Sequence, residues 1–158
     1  MHKWRESSKI KIIHKYSKGS RITNLFSGSS DIGLNRVDYS NPNANCNTDV
    51  FKWLEYLSNG YKNYYKQTVI IDAPYNKKFA DKYQMLGNTP KQFIIFANAI
   101  DTTKLFNLIS EKINPNIIIL KSWNYYIPKG YKLKKGFLCY AGGFRKPTIL
   151  LILERRMI

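Results

Sequence analysis

The stretch QTVIIDAPY, residues 67–75, contains an apolar run that stops at an acid, a small residue, a proline and an aromatic residue. A short, uniformly apolar run rich in β-branched residues is typical of a strand that is covered on both faces. Pro74 fixes its own φ and has no backbone N–H, so the strand is predicted to end next to Asp72. The stretch therefore predicts a parallel α/β sheet with a carboxylate at the end of one strand.

Alternating strands and helices are predicted upstream of this stretch. The run RITNLF ends in the small residues SGSSDIG, and NRVDYS is predicted to be a second short strand that ends near Asp38. NPNANCNTD resembles a loop, and Asp49 is predicted to cap the helix VFKWLEYLSNG, which Gly60 would close. Residues 1–21 are rich in lysine and arginine around KIKIIHKY, and they are predicted to form a basic arm or a first strand.

Downstream, the pattern predicts a lysine-rich loop or short helix through Met85, and then a helix TPKQFIIFANA with Pro90 in its first turn. Asp101 is predicted to cap the helix DTTKLFNLISEKI, and Pro115 ends it before the strand NIIILKSW. In the tail, two β-type runs flank AGGFRKP, which is typical of a hairpin. The predicted fold is one α/β domain over residues 1–158, with a mostly parallel, Rossmann-like sheet and a C-terminal antiparallel hairpin.

The bulk composition is that of one folded domain, with 158 residues, 44% of them hydrophobic and 23% charged. Cys46 and Cys139 show no pairing pattern, and together with His2 and His14 they provide no zinc spacing. We therefore expect no metal and a reducing, cytoplasmic (intracellular) setting. The longest apolar runs are shorter than a membrane span, and no signal-peptide core is present, so no membrane association is expected.

The charge balance points to a polyanionic partner. The chain has 26 Lys and Arg residues against 10 Asp and Glu, a formal net charge of +16. A small protein tolerates such self-repulsion most readily when it binds a polyanion, and nucleic acid is the first candidate. The alternative is that the lysines only solubilise the surface. An anionic membrane is disfavoured, because no stretch combines an apolar face with a basic one.

Polar and small residues follow three further predicted strand ends. In open α/β sheets, ligands bind at the carboxyl ends of the strands. The small residues 27–29 would let backbone amides close on a bound molecule. Asp38 lies where a nucleoside-binding sheet accepts the ribose hydroxyls, and Asp49 is suited to accept a hydrogen bond from an adenine amine, with Val50 packing on the ring. These positions predict a nucleoside-containing ligand.

These motifs, in this order, resemble those of the class I S-adenosylmethionine-dependent methyltransferases, specifically the DNA amino-methyltransferases with a D-P-P-Y-type tetrapeptide. The resemblance covers residues 22–154. LFSGSSDIG resembles the cofactor loop of the family, although the helix that usually follows is nearly absent, and DAPY resembles the tetrapeptide with alanine in place of its first proline. The implied cofactor is S-adenosyl-L-methionine. The resemblance assigns to it Phe26, Ser27, Gly28, Ser29, Asp38, Asp49 and Val50.

The resemblance also implies the catalytic residues. An exocyclic base amine is a poor nucleophile, because its lone pair is delocalised into the ring. In the family, two acceptors turn that nitrogen toward tetrahedral geometry. Here they would be the Asp72 carboxylate and the Ala73 carbonyl, while Pro74 fixes the turn and Tyr75 stacks on the extruded base. The implied enzyme is a site-specific DNA-methyltransferase, with adenine favoured over cytosine.

Two alternatives remain open from the sequence: an RNA amino-methyltransferase, and a non-catalytic nucleic-acid-binding subunit whose site has degenerated. The chain has little room for a separate target-recognition domain. The loop 76–89 and the basic N-terminal arm are therefore expected to contact the substrate, with a short recognition sequence or a homodimer. Trp123 lines either the pocket or the core, and Arg145 and Lys146 are candidates for phosphate contacts.

Overall fold

The computed structural model describes residues 7–39, 41–85, 93–140 and 146–157. The helices are α1 (Ser7–Ser17), α2 (Val50–Tyr56), α3 (Lys77–Met85) and α4 (Ala99–Lys112), with a 3₁₀ helix at Asn59–Asn63. The strands are β1 (Arg21–Leu25), β2 (Asn35–Asp38), β3 (Cys46–Asn47), β4 (Gln67–Ile71), β5 (Ile117–Ser122), β6 (Tyr131–Cys139) and β7 (Thr148–Arg155).

All seven strands form one sheet in the order β3-β2-β1-β4-β5-β7-β6. The pairs from β3 to β5 are parallel, whereas β7 runs antiparallel to both β5 and β6. Helical segments lie in two of the connections between parallel strands, from β3 to β4 and from β4 to β5, where they provide the crossover that parallel pairing requires. The predicted α/β class, with a mostly parallel sheet and an antiparallel C-terminal pair, is confirmed.

The central strand β4 is buried along its whole length, which explains the apolar run at Val69, Ile70 and Ile71. Its alternate side chains enter two different cores. Val69 and Ile71 join the larger core together with residues of α2 and α4, and Ile70 joins the smaller core together with Ile13 of α1. Helices thus cover both faces of the sheet, and burial of each such side chain stabilises the fold by about 1.5–3 kcal/mol.

The N-terminal prediction is wrong where the structure can be compared with it. Residues 7–17 form helix α1 and neither an arm nor a strand. Ile10, Ile13 and Tyr16 recur every three residues and pack in the smaller core, which is a helical stripe. The Ser17 hydroxyl donates to the Ile13 carbonyl at 2.7 Å. The basic residues before position 7 lie outside the described residues.

The predicted helix over FIIFANA is also wrong. Residues 93–98 are not helical, and α4 begins only at Ala99. Phe93 and Ile95 are both buried, and the Ile95 N–H donates to the Pro74 carbonyl at 2.9 Å. A hydrogen-bonded turn therefore replaces the expected helix: the Ala97 N–H donates to the Ile94 carbonyl at 3.1 Å, and Phe96 has a φ of 68°. Pro90 lies outside the described residues.

The helix caps agree with the sequence in one of three cases. Asp49 caps α2 by accepting from the Lys52 N–H at 3.1 Å, as predicted. Asn98 caps α4 in place of Asp101, because its side chain accepts from the N–H groups of residues 100 and 101. Gly60 does not close α2, which ends at Tyr56, and lies instead in the 3₁₀ helix.

Two smaller features complete the comparison. Cys46–Asn47, within the segment predicted to be a loop, pairs with Val37–Asp38 as a short edge strand. The predicted hairpin strands are present as β6 and β7, whereas residues 141–145 between them lie outside the described residues. In the described part of the chain, no helix has the length and apolar character needed to cross a membrane.

Candidate functional site

The carboxyl ends of the five parallel strands share one edge of the sheet. Leu25 of β1 pairs with Val37 of β2 and with Ile71 of β4, so the residues that follow these strands emerge side by side. Three acids lie along this edge: Asp38 ends β2, Asp49 follows β3, and Asp72 follows β4. The structure thus brings the predicted acids to one edge, which we call the strand-end rim.

The loop after β1 turns back sharply onto β2. Phe26 and Gly28 have φ values of 57° and 53°, in the left-handed region. The Ser27 N–H donates to the Val37 carbonyl at 3.1 Å, and the Gly28 N–H donates to Asp38 Oδ2 at 2.9 Å. Residues 26–34 contain no helix, as the short spacing predicts. The Asp38 carboxylate therefore holds the loop against the rim.

Ser27 has a buried hydroxyl without a protein partner. Its side chain is 5% exposed, and Oγ forms no hydrogen bond with any described residue. Leaving such a group unsatisfied costs about 1–3 kcal/mol, so its presence suggests a polar ligand. A Cβ built on Gly28 would meet no atom within 4 Å, so the loop has open space beside it. The loop therefore combines open space at Gly28 with an enclosed, unpartnered hydroxyl at Ser27.

An apolar wall lies beside this loop. The Phe26 ring stacks on Phe93 with centroids 5.5 Å apart and planes 9° apart, and Phe51 meets Phe93 edge-on at 5.4 Å. Val50, at the start of α2, is buried in the same core. One carboxylate oxygen of Asp49 accepts the hydrogen bond that caps α2, and the other accepts no hydrogen bond from a described residue. The β3 end of the rim thus combines apolar surface with a hydrogen-bond acceptor.

At the β4 end, Asp72 forms an ion pair with Lys121, which the sequence analysis missed. Lys121 Nζ lies 3.1 Å from Oδ1 and 3.2 Å from Oδ2 of Asp72, and the two side chains are only 11% and 18% exposed. Burial alone would lower the pKa of Lys121, but the adjacent carboxylate outweighs it and the pKa is raised. The ammonium group is therefore protonated and engages both carboxylate oxygens.

Strand register was the signal that could have identified Lys121. Ile71 of β4 pairs with Leu120 of β5, so the next residue on each strand lies at the same level of the rim. A lysine that interrupts the apolar run NIIILKSW is then placed beside the acid that ends VIID. The sequence predicts the strand NIIILKSW, but not its register against β4.

Aromatic side chains surround this ion pair. Tyr75 contacts Trp123 at 4.7 Å and Phe79 at 5.2 Å between ring centroids, and Lys121 Nζ lies 6.0 Å from the Tyr75 centroid. Burial raises the pKa of Tyr75, and the charge of Asp72 adds to this rise while that of Lys121 opposes it. The phenol is therefore neutral near pH 7. Trp123, an open question from sequence, contributes to this aromatic cluster.

The backbone of the DAPY turn is held at two points, and at the first of them the Asp72 N–H donates to the Leu25 carbonyl at 3.5 Å. The Pro74 carbonyl accepts from Ile95, while the Ala73 carbonyl accepts no hydrogen bond from any described residue. Lys146 places Nζ 4.8 Å from the Trp123 ring centroid, beside the aromatic cluster, and Arg145 lies outside the described residues. The turn therefore presents one carboxylate and one available carbonyl acceptor.

No family model and no curated protein matches the chain. Two observations bear on function instead. The motifs follow one another in the order of the resemblance, and the structure gathers the residues that carry them along the strand-end rim.

Proposed function

We propose that the chain is an S-adenosyl-L-methionine-dependent methyltransferase that acts on the exocyclic amine of a base in DNA, with adenine as the favoured target. The observation that carries this proposal is the position of Asp72, at the end of β4 and on the same rim as Asp38 and Asp49. The mostly parallel sheet with its antiparallel C-terminal pair is compatible with the Rossmann-like fold that the resemblance implies.

The residues on the β1–β3 side of the rim fit the proposed cofactor. The unpartnered Ser27 hydroxyl and the open space beside Gly28 suit a polar ligand at the loop. Asp38 and Asp49 offer carboxylate acceptors for hydroxyl and amine hydrogens, and Val50 and Phe26 offer apolar contact. When bound, S-adenosyl-L-methionine would supply a methyl group on an electrophilic sulfonium.

On the β4–β5 side, the chain offers the two acceptors that the proposed reaction needs. The Asp72 carboxylate and the Ala73 carbonyl would each accept one hydrogen of the target amine, which moves electron density back onto the nitrogen. Because Lys121 engages both oxygens of Asp72, the amine must displace it or share the carboxylate with it. Tyr75 and Trp123 would bind the extruded base by stacking.

The net charge of +16 supports a nucleic-acid substrate but does not distinguish DNA from RNA. We propose DNA as the partner in a cytoplasmic setting, where the free thiols of Cys46 and Cys139 would persist. A competition assay distinguishes the substrates: methyl transfer to duplex DNA is measured with an excess of single strands or structured RNA. Stronger inhibition by RNA, with transfer to RNA, would favour the RNA alternative.

Substitution of Asp72 is the central test. We expect Asp72→Asn and Asp72→Ala to lower methyl transfer at least about 100-fold, because loss of one oriented hydrogen-bonding group from an active site has effects of this size. Cofactor binding should be nearly unchanged, since the residues proposed to bind the cofactor follow β1, end β2 and begin α2, whereas Asp72 follows β4. Nucleoside mass spectrometry measures the first quantity, and titration calorimetry with S-adenosyl-L-methionine measures the second.

Glu111→Gln provides the matched control, because this exposed acid lies at the end of α4 away from the rim. It should leave both quantities at the level of the unsubstituted protein. Methyl transfer that survives Asp72→Ala would contradict the catalytic role of Asp72.

One observation favours the second candidate, a non-catalytic nucleic-acid-binding subunit. Lys121 already engages both oxygens of the carboxylate that the reaction requires. A protein that binds nucleic acid but neither binds S-adenosyl-L-methionine nor transfers a methyl group would support this candidate.

A further inference from the structure

A second charged feature lies at the opposite edge of the sheet from the strand-end rim. A groove of about 840 Å³ runs along the edge where β4 and β5 begin and β7 ends. Lys66 immediately precedes β4, and Ile117 and Arg155 lie at the ends of β5 and β7 that face this edge. We call this feature the basic groove. Five of its cations have no acidic partner among the described residues: Lys15, Lys18, Lys66, Arg155 and Arg156.

Three of these cations are held in place by main-chain carbonyl groups. Lys66 Nζ donates to the Lys18 carbonyl at 2.9 Å, and the Arg155 guanidinium donates to the Asn114 carbonyl at 2.7 Å. Arg156 Nε donates to the carbonyl of residue 131 at 3.1 Å. Such acceptors orient a cation but carry no net charge, so the positive charges are fixed in position without being neutralised.

The acid that lines the groove is already committed to other lysines. Glu154 lies 2.6 Å from Lys134 Nζ and 3.6 Å from Lys132 Nζ. The hydrogen bond to Lys134 and the charges of both lysines lower the pKa of Glu154, so it is ionised near neutral pH. Its charge is shared by two lysines, and the five remaining cations keep an unbalanced positive field.

We propose that the basic groove binds the phosphate backbone of a nucleic acid, at a site separate from the strand-end rim. Like charges fixed along a groove repel one another, and a chain of phosphates removes that repulsion while it releases bound counterions. The ring of Tyr65, directly before Lys66, is 98% exposed and offers a stacking surface of the kind found beside phosphate contacts. A membrane surface fits less well, because Met157 is the groove's one highly exposed apolar side chain.

This proposal does not depend on the proposed function, since its residues lie at the other edge of the sheet. The test is fluorescence anisotropy with a labelled duplex and its single strand, at a series of KCl concentrations around 0.1 M. The variant Lys15→Gln/Lys18→Gln/Lys66→Gln removes three exposed charges from the groove. The control variant Lys52→Gln/Lys62→Gln/Lys104→Gln removes three exposed charges from helical segments outside it.

We expect the groove variant to bind nucleic acid at least about tenfold more weakly. The slope of log binding constant against log salt concentration should also become shallower by about 2–3, because each lost phosphate contact reduces it by about 0.9. The control should remain within about twofold of the unsubstituted protein, since exposed charges remote from the contact are screened. Circular dichroism verifies that both variants fold. If the triple groove variant does not fold, the single variants Lys15→Gln and Lys18→Gln are compared in its place.

Three results would overturn the proposal. The first is a groove variant with unchanged affinity and salt slope. The second is an equal loss in the control variant, which would show that only total charge matters. The third is a loss of binding to vesicles of anionic phospholipid with nucleic-acid binding unchanged, which would assign the groove to a membrane surface.

Discussion

Lys121 and Asp72 form an ion pair that is largely removed from solvent, and its strength decides how readily the carboxylate can be released to a substrate. We expect a double-mutant cycle of Lys121→Met and Asp72→Asn to give a coupling free energy of about 1–3 kcal/mol, because a largely buried partner left alone loses its compensating charge. The free energy of unfolding of the four proteins, from urea titration, provides the measurement.

Lys77 and Asp81 form the matched control pair, since their side chains are 76% and 41% exposed and lie one helical turn apart. Lys77→Met and Asp81→Asn should couple by only about 0.2–0.5 kcal/mol. Equal coupling in the two cycles would show that solvent screens the Lys121 pair as well.

For single residues, the sequence predicts which acids lie at the strand ends but not which side chains contact them. Asp38 and Asp72 could be placed because each ends a predicted strand, and Asp49 because it precedes a predicted helix. Lys121 could not be placed in the same way, because its importance comes from β5 lying next to β4 in register, and a single strand does not encode its neighbour. The unpartnered Ser27 hydroxyl likewise becomes visible only when the loop is folded.

The sequence predicts helix α4 correctly but places its N-terminal cap at the wrong residue. Asn98 and Asp101 are both residue types that cap helices, and the apolar run before them resembled helix in the sequence. The structure selects Asn98, which accepts from two N–H groups, while Asp101 lies in the first turn, where its charge favours the helix dipole. The choice depends on the turn that precedes Asn98, in which the Ala97 N–H donates to the Ile94 carbonyl, and on the burial of Phe93 and Ile95 beside it.

Substitution of the cap should therefore weaken the whole element. We expect Asn98→Ala to lower the free energy of unfolding by about 0.5–2 kcal/mol, because two N–H groups lose their acceptor. Asn107→Ala, at an exposed position inside the same helix, should be neutral or slightly stabilising, because alanine has the higher helix propensity. Chemical denaturation of both variants is the measurement, and equal effects would contradict the assigned cap.

Across the whole molecule, the parts of the fold that were predicted are those encoded in local sequence. Apolar runs and turn residues gave the strands and the antiparallel tail, whereas the position of β7 between β5 and β6 depends on pairing across the chain. Helix α1 was missed because KIKIIHKY also matches a short strand, and only its contact with the covered face of the sheet distinguishes the two.

Tyr131 makes the stability of the fold depend on pH. It joins the larger core, and its hydroxyl donates to the Pro115 carbonyl at 2.9 Å. Burial raises the pKa of Tyr131 to about 12, against the opposing effects of Arg155 and Ser110. The pKa of Tyr131 is higher in the folded than in the unfolded protein. Its contribution to the free energy of unfolding is therefore complete below pH 10 and is lost as the pH rises through 12.

We therefore expect the free energy of unfolding to fall by about 2–3 kcal/mol between about pH 10 and 12 through this residue. Tyr131→Phe should be about 1 kcal/mol less stable at pH 7, where it lacks the hydrogen bond, yet should lose less stability in alkali. Urea titrations across this range measure both effects, with the exposed Tyr56→Phe as control. Parallel curves for Tyr131→Phe and the unsubstituted protein would contradict this role.

The outer strands of the sheet have a consequence for self-association. β3 has only two residues, and β6 exposes Lys132, Lys134 and Lys135 along its length. Open strand edges can pair with a second copy and lead to fibrous aggregation. A two-residue strand offers few backbone groups for such pairing, and charged lysine side chains along an edge strand oppose it. The protein should therefore stay dispersed despite its apolar strands, and a homodimer, if formed, would have to use helical faces or loops.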